Sequence, residues 1–387
     1  MKLISSTLAC LLTLSTLDLP SAWAAKPEAN AAPVYWQAFA AMPKLSEEET
    51  ALLALKPGDP LDKAAAEKLV AKLENSLALL NTAGGISECD WVVNLAEGPS
   101  LQLPYLSKAH ELAKAARLRA RLRLLEGNPG TAVSDLVASL RLARAASQPG
   151  LLVNQLVQIS IERAAIQTVA AHFGKFDKDA LQQLAAETLE YDGRPSIKHA
   201  IGIEKQCFAP WIRRQVEQSK AKHETLAPWI AEHFTYIADP GAKPIPPTDE
   251  FLQALGGNWE GFERQLSALE KDYDELARIH GLPHAEVEPA LAEFYKRLQA
   301  NKDPHFLSGL ILPALKLCYN KEAQLVAERC MLTTAIQMQL EGRSKALKSR
   351  DPFDDGPFGV SETASGIELK SKLIVDKKPV TLTFVAK

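Results

Sequence analysis

The chain has 387 residues, with 44 Lys and Arg against 47 Asp and Glu, and 6% of its residues are aromatic. A balance so near neutral leaves no basic footprint for nucleic acid and no polybasic attraction to an anionic membrane. Abundant Ala and Leu predict a mainly α protein, because these side chains lose little conformational freedom on entering a helix.

The amino terminus reads as an export signal. Lys2 supplies the positive start, Leu3 to Leu17 form an apolar stretch, Pro20 breaks it, and Ala22-Trp23-Ala24 places small residues where a signal peptidase cuts. The apolar stretch ends at Asp18 and falls short of the ~20 residues that cross a bilayer, so cleavage is expected over a retained anchor. Removal of residues 1–24 leaves 363 of the 387, ample for a large core and for two lobes. The expected address is the periplasm or the medium. No later segment predicts a membrane span. The most apolar one, Phe306 to Leu317, carries Pro313 and Lys316 and has the length of a buried core helix.

Helices are predicted in sequence. Tyr35-Trp36-Gln37-Ala38-Phe39 opens the first, and Ser46-Glu47-Glu48-Glu49 has the capping-box spacing of Ser followed three residues later by Glu. Asp62 to Asn81 is amphipathic through Leu69, Leu73, Leu77 and Leu80, and Gly84-Gly85 ends it. Leu106 to Glu126 and Thr131 to Ala146 read as an antiparallel pair joined at Gly127-Asn128-Pro129-Gly130. The stretch Gly127 to Leu142 resembles the second helix of a tetratricopeptide repeat, but no second copy follows at that period, which predicts a single helical hairpin. Further helices span Gly150–Phe173, Asp179–Tyr191, Ser196–Lys222 and Leu226–Ile237. Four prolines and a glycine between Asp239 and Thr248 mark a lobe boundary.

Beyond it, Leu252, Leu255, Trp259, Phe262, Leu266, Leu269, Tyr273 and Leu276 form a heptad seam. Its expected partner is the next helix, where Val287, Leu291, Phe294 and Leu298 repeat the spacing; an oligomer through residues 252–276 is the alternative. After a last helix at Lys321–Leu340, the turn-rich residues 351–358 lead to β-branched, alternating stretches at 367–375 and 380–385, predicted as a hairpin docked on the helices.

Four cysteines outlast cleavage: Cys89, Cys207, Cys318 and Cys330. An oxidising compartment permits bridges. Cys318 and Cys330 share one predicted helix, where twelve residues span roughly 18 Å against the ~7 Å that a disulfide allows, so they do not pair with each other. Cys89 and Cys207 are candidates for pairing with each other or with that C-terminal pair, and four unbridged thiols are the alternative.

Chemistry-bearing patterns are sparse. His280 and His284 are four apart, but Gly281 and Pro283 break the helix that would align them, and neither His-Glu-x-x-His nor Cys-x-x-Cys occurs, so no metal or other cofactor is expected. Ser219 and Lys222 have Ser-x-x-Lys spacing without the Lys-Thr-Gly strand that chemistry needs. Glu88, Asp90 and Glu97 flank Trp91 as carboxylates around a sugar-binding ring would, although a polar loop beside a buried Trp accounts for the same pattern. Arg117, Arg121, Arg141 and Arg144 form a candidate anion or partner patch; salt bridges from this arginine-rich pair of helices to Glu126 and Asp135 are the preferred reading. Trp211, Arg213 and Arg214, with Trp229 nearby, form an aromatic-basic cluster whose tryptophans have core spacing.

Residues 31–43, with Tyr35-Trp36-Gln37-Ala38-Phe39 and Pro43, and the helical region through Phe173 resemble a group of exported bacterial helical proteins of unassigned function. Asp351-Pro352-Phe353 with Gly356, followed by Gly366 to Ser371, is similar to the end of that group and to the closing loop of secretion-system pseudopilins. The pseudopilin resemblance lacks a methylated-Phe helix and has Lys372-Leu373 in place of an acidic glycine-rich stretch, so it implies neither pilus assembly nor calcium binding.

The expected architecture is therefore a signal peptide (1–24), an N-terminal helical lobe (25–238), a Pro-rich linker (239–248), a C-terminal helical lobe (249–350) and a turn plus β-hairpin tail (351–387). The expected function is a non-catalytic interaction or scaffold protein of the cell envelope with a protein partner. An exported hydrolase whose Asp and Glu meet only in the fold is the rival.

Overall fold

A computed structural model describes residues 30–189, 196–238, 247–300, 303–342 and 350–386. The expected signal peptide and residues 239–246 of the expected linker lie outside the described residues. The fold is mainly α with a small C-terminal sheet. In chain order come α1 (Ala32–Ala40), α2 (Glu47–Ala54), α3 (Lys63–Gly84), α4 (Tyr105–Leu125), α5 (Pro129–Ala146), α6 (Leu152–Ala171) and α7 (Lys178–Leu189). They are followed by α8 (Ile197–Ala221), α9 (Leu226–Ala238), α10 (Asp249–Ala254), α11 (Trp259–Ile279), α12 (His284–Gln299), α13 (Phe306–Ile311) and α14 (Lys316–Glu341).

Local chemistry sets these boundaries. At α2 the capping box forms in full: Glu49 N donates to Ser46 Oγ at 3.2 Å and Ser46 N donates to the Glu49 carboxylate at 2.8 Å, satisfying two otherwise orphaned amides. Asp62 caps α3 with a single bond, accepting from Ala65 N at 3.1 Å. The short turn through Gly127 folds α5 antiparallel onto α4, as the sequence predicts. Between them Asp135, with no exposed surface, takes three hydrogen bonds from Arg119 at 2.6–3.1 Å and one from Arg123 at 2.8 Å. Glu74 reaches Arg119 from α3 at 3.0 Å, so one ionic network fastens three helices.

The apolar residues collect into two cores. One joins α1, α3 and α4, from Tyr105 to Leu122, to Leu142, Ala143 and Ala146 of α5. The other runs from α5 and α6 through α8, α11, α12 and α14 to the sheet. This second core extends to both sides of the expected linker. Ile212 and Val216 of α8 lie in the same cluster as Phe262, Leu266 and Leu269 of α11, so the helices on either side of 239–248 share one interior. Proline reports that a connection exists; it carries no information on what the flanking helices pack against.

The heptad seam is also redirected. A tight turn at Gly256, with φ +98°, separates α10 from α11, and a Cβ there would sit 2.4 Å from the Gly261 carbonyl carbon. Leu255, Phe262, Leu266, Leu269, Tyr273 and Leu276 are all buried, and α11 packs more extensively on α8 than on α12. The seam is thus covered within the chain, mainly by a helix other than the expected one, and its buried positions are not an exposed oligomer stripe.

The tail gains a strand relative to expectation. Strands β1 (Gly359–Thr363), β2 (Gly366–Val375) and β3 (Lys378–Val385) form an antiparallel sheet in the order β1-β2-β3. Asp376 and Lys377, both at positive φ, make the two-residue turn between β2 and β3. Leu369, Leu373, Val380, Leu382 and Phe384 face the second core against α6 and α14. Buried Asp351 pins the sheet to the preceding turn by accepting from Ser371 Oγ at 2.8 and 2.9 Å, Lys372 N at 2.7 Å and Phe353 N at 3.1 Å. That contact gives a physical role to the Asp-Pro-Phe and Ser371 ends of the C-terminal resemblance.

Candidate functional site

A cavity of about 900 Å³ opens where the end of α3 and the following loop face α5 and α7. Its size is that of a ligand-binding cleft. One wall is the loop from Gly85 to Val93, and three sets of bonds fix that loop. Asn30 exchanges two 2.8 Å hydrogen bonds with the backbone of Asp90, and Ala31 N donates to Glu88 O at 2.8 Å. Trp91 Nε1 donates to Ala145 O at 2.8 Å while its ring lies parallel to Tyr105 at 4.3 Å and packs on Tyr35 and Phe39. Asp90 Oδ1 accepts from Val92 N at 2.8 Å, holding a β-branched residue at φ +54° with its side chain 82% exposed.

The other wall is ionic. Arg141 reaches from α5 to the Glu187 carboxylate of α7 at 3.1 and 3.4 Å and to Gly84 O at 3.0 Å. Arg144, one turn further on, donates to the same carboxylate and to Glu187 O at 2.8 Å. One carboxylate is therefore gripped by two guanidiniums, an arrangement that is stronger than a neutral hydrogen bond and fixed in direction. Below it, Tyr105 Oη donates to Gln148 O at 2.6 Å and receives Asn154 Nδ2 at 2.8 Å, which locks the α5–α6 connection that closes the floor.

The titratable groups of the floor are not activated. Burial pushes the Cys89 thiol up to about 12, with the Asp90 charge adding to it, and burial likewise raises the Tyr35 phenol. Both keep their protons at neutral pH. The faces of Trp91 are taken by other rings and its N–H by a carbonyl, so it is a structural post and no sugar platform. Glu97 does not line the cavity; it lies in the short turn Leu95–Ser100, 3.4 Å from Asn94 Nδ2.

The structure divides the other sequence-derived candidates. The four arginines do not form one patch. Arg117 donates to Leu53 O and Leu55 O at 3.0 and 2.9 Å, closing the end of α2, and buried Arg121 donates to Asp59 O. Only Arg141 and Arg144 face the cavity. The expected salt bridges to Asp135 come from Arg119 and Arg123, and Arg123 also donates to Thr131 O at 2.9 Å. Arg213 pairs with Glu270 at 2.7 Å and Arg214 donates to Ala96 O at 2.7 Å. Trp211 covers Gly98, where a Cβ would come within 2.3 Å of the indole, and Trp229 is buried against Trp259 and Phe262. That cluster is packing between α8, α9, α11 and the 95–100 turn.

Among the described residues no disulfide joins Cys89, Cys207, Cys318 and Cys330, and Cys318 and Cys330 both lie on α14. Cys207 donates to Leu95 O at 3.2 Å. His280 and His284 do converge, from the end of α11 and the start of α12, on Tyr319, whose hydroxyl meets His284 Nδ1. Among the described residues no group of three or more His, Cys, Asp or Glu side chains could hold a metal ion, and no helix is long and apolar enough to cross a membrane. Ser219 is buried and Lys222 is paired with Glu224 at 4.0 Å.

Sequence reasoning missed Glu187 altogether. It lies 46 residues from Arg141, in an ordinary amphipathic helix, and no local pattern marks it. Comparisons with protein-family models, with curated proteins and with solved structures each return no match. What the cavity offers chemically is fixed charge of both signs, with Arg141 and Arg144 on one wall and Glu88 and Asp90 on the loop. Its partly buried carboxylate, Glu187, is committed to ion pairs, and burial raises the pKa of its thiol and phenol.

Proposed function

We propose that the chain is an exported, non-catalytic binding protein of the cell envelope, and that its partner engages the cavity between the Gly85–Val93 loop and the α5–α7 wall. The observation that carries this reading is the state of the charged groups there. Glu187 is gripped by Arg141 and Arg144, Cys89 and Tyr35 hold their protons, and Asp90 is bonded to its own loop. Such groups recognise a shape and a charge pattern; a hydrolase would need a carboxylate poised to give or take a proton. The export part of the proposal rests on Lys2, the apolar stretch to Leu17 and Ala22-Trp23-Ala24.

A photo-crosslinking amino acid at Ser87, on the cavity loop, compared with one at Lys377, on the far β-turn, tests the reading in cells. Recovery of one protein from Ser87 and not from Lys377, in the periplasmic fraction, is the expected result. Steady hydrolysis of a glycan or peptide that Glu88→Gln or Asp90→Asn abolishes would instead establish the rival exported hydrolase.

A further inference from the structure

A smaller pocket, about 40 Å³, lies between α4, α5 and α6 and shares no lining residue with the cavity described above. Leu136 and Ile161 line it together with His110, Lys114, Arg117 and Ser139, and its lining contains no carboxylate. The three basic groups stand at i, i+4 and i+7 of α4, which sets them along one face of that helix. Ser139 of α5 is 3% exposed, and its hydroxyl has no hydrogen-bond partner among the described residues. A buried hydroxyl left unbonded favours any ligand that supplies the missing partner.

The positive charge there is also unmatched. Half-buried Lys114 makes no ion pair or hydrogen bond among the described residues. Arg117 commits one terminal nitrogen to Leu53 O and Leu55 O, which are neutral acceptors, so its Nε and its other terminal nitrogen keep their donors. Arg121, one turn further and 2% exposed, donates to Asp59 O, and its Nε is buried without a partner. Asp59 offsets part of that charge. Burial and then the Arg121 charge lower the Arg117 pKa. Burial, Lys114 and Arg117 lower that of His110, against Glu111, which Lys108 holds at 3.4 Å. The basic groups thus repel one another, and a bound anion would relieve them.

We infer that the pocket between α4, α5 and α6 binds one phosphate-sized oxyanion, with Lys114 and Arg117 meeting its charge and Ser139 bonding one of its oxygens. Size agrees. One water needs roughly 10–15 Å³ of such space, so the pocket takes a group of a few heavy atoms and leaves anything attached to it in solvent. A wall of N–H and O–H donors at different angles suits several oxygens better than a single halide. The site is additional to the proposed partner cavity and does not depend on it.

Free phosphate and the terminal phosphate of an organic ester share this chemistry. Calorimetric titration of the protein with sodium phosphate, glycerol 3-phosphate and sodium chloride, at one ionic strength, separates them. Phosphate or its ester should saturate one site per chain, and chloride should not. Tighter binding of glycerol 3-phosphate assigns the pocket to an ester, and tighter binding of phosphate assigns it to the free ion. Lys114→Gln should weaken both about tenfold, the size expected for a lost bond to a charged group. Ser139→Ala should weaken them several-fold, and Lys377→Gln, on the far β-turn, should leave them unchanged. Lys114 has no bonded partner to lose, so the urea midpoint of Lys114→Gln should match the parent's. Equal heats from phosphate and chloride, no saturable heat at all, or binding that survives both Lys114→Gln and Ser139→Ala would overturn the inference.

Discussion

Burial governs the reactive side chains of this protein one by one. The Cys89 thiol is pushed up to about 12 and Cys207 to about 11, and Cys318 is raised in the same way. The native chain should therefore react slowly with iodoacetamide at pH 8, and urea should accelerate alkylation of all four thiols. Reductant should leave the thermal midpoint unchanged, and a downward shift with reductant would reveal a bridge. His280 behaves oppositely to a surface histidine. Both ring nitrogens are buried without a hydrogen-bond partner, and burial lowers its pKa from 6.5 to about 4. Between those values the unfolded chain takes up a proton that the folded chain refuses, so stability should fall as pH drops from 6.5 toward 4, by up to about 3 kcal/mol. His110, His172 and His284 are lowered too and act in the same direction. Urea melts at pH 7 and pH 4.5 should show a smaller loss in His280→Phe than in the parent chain, and equal losses would discard the assignment. Nothing in the sequence separates His280 from an exposed histidine, because its ring packs on Tyr319 of α14, far along the chain.

Among the elements, the α4–α5 hairpin shows why some ion pairs can be read in advance. A tight turn at Gly127 makes residues equally far on either side neighbours. Arg119 and Asp135 are eight away from it, and Arg123 and Thr131 are four. The expected salt bridge to Asp135 follows from that symmetry. Arg119 is 2% exposed and Asp135 has no exposure at all, so removing one partner strands a buried charge. Asp135→Ala should cost about 3–5 kcal/mol in denaturant unfolding, whereas replacing both residues together, Arg119→Met with Asp135→Leu, should cost clearly less. Comparable losses in the two variants would mean that the charge itself is not what matters. The heptad seam of α11 was legible as a periodicity, yet its principal partner was not. Periodicity says which face is apolar and is silent on which apolar face meets it, and α8 offered a better-placed one than α12. Strand β1 escaped notice for a related reason: Gly359-Val360-Ser361-Glu362-Thr363 has an almost wholly exposed burial pattern, so it carries no apolar alternation to detect.

For the whole molecule, helices, turns and the mainly α class follow from composition and pattern, while the tertiary map depends on pairs remote in sequence. Glu187 with Arg141 is one such pair. Arg163 of α6 with Glu328 of α14, at 2.7 and 3.0 Å across 165 residues, is another. Half of the cavity was nevertheless visible: Arg141, Arg144, Glu88, Asp90 and Trp91 all stand out as residues, but only folding brings them to one opening. The shared second core has a measurable consequence. A protease site inserted between residues 240 and 246 should, once cut, leave two fragments that co-elute on gel filtration, because α8 and α11 bury common apolar surface. Separate elution of folded halves would show two independent lobes.

The reciprocal bonds between Asn30 and Asp90 also hold the lining loop at the lip of the opening. An environment-sensitive dye at Ser87, exposed on that loop, therefore lies at the opening itself, and its emission should change when the cavity is filled. Ser87 is thus a natural place for an optical reporter of occupancy and a poor one for a bulky handle.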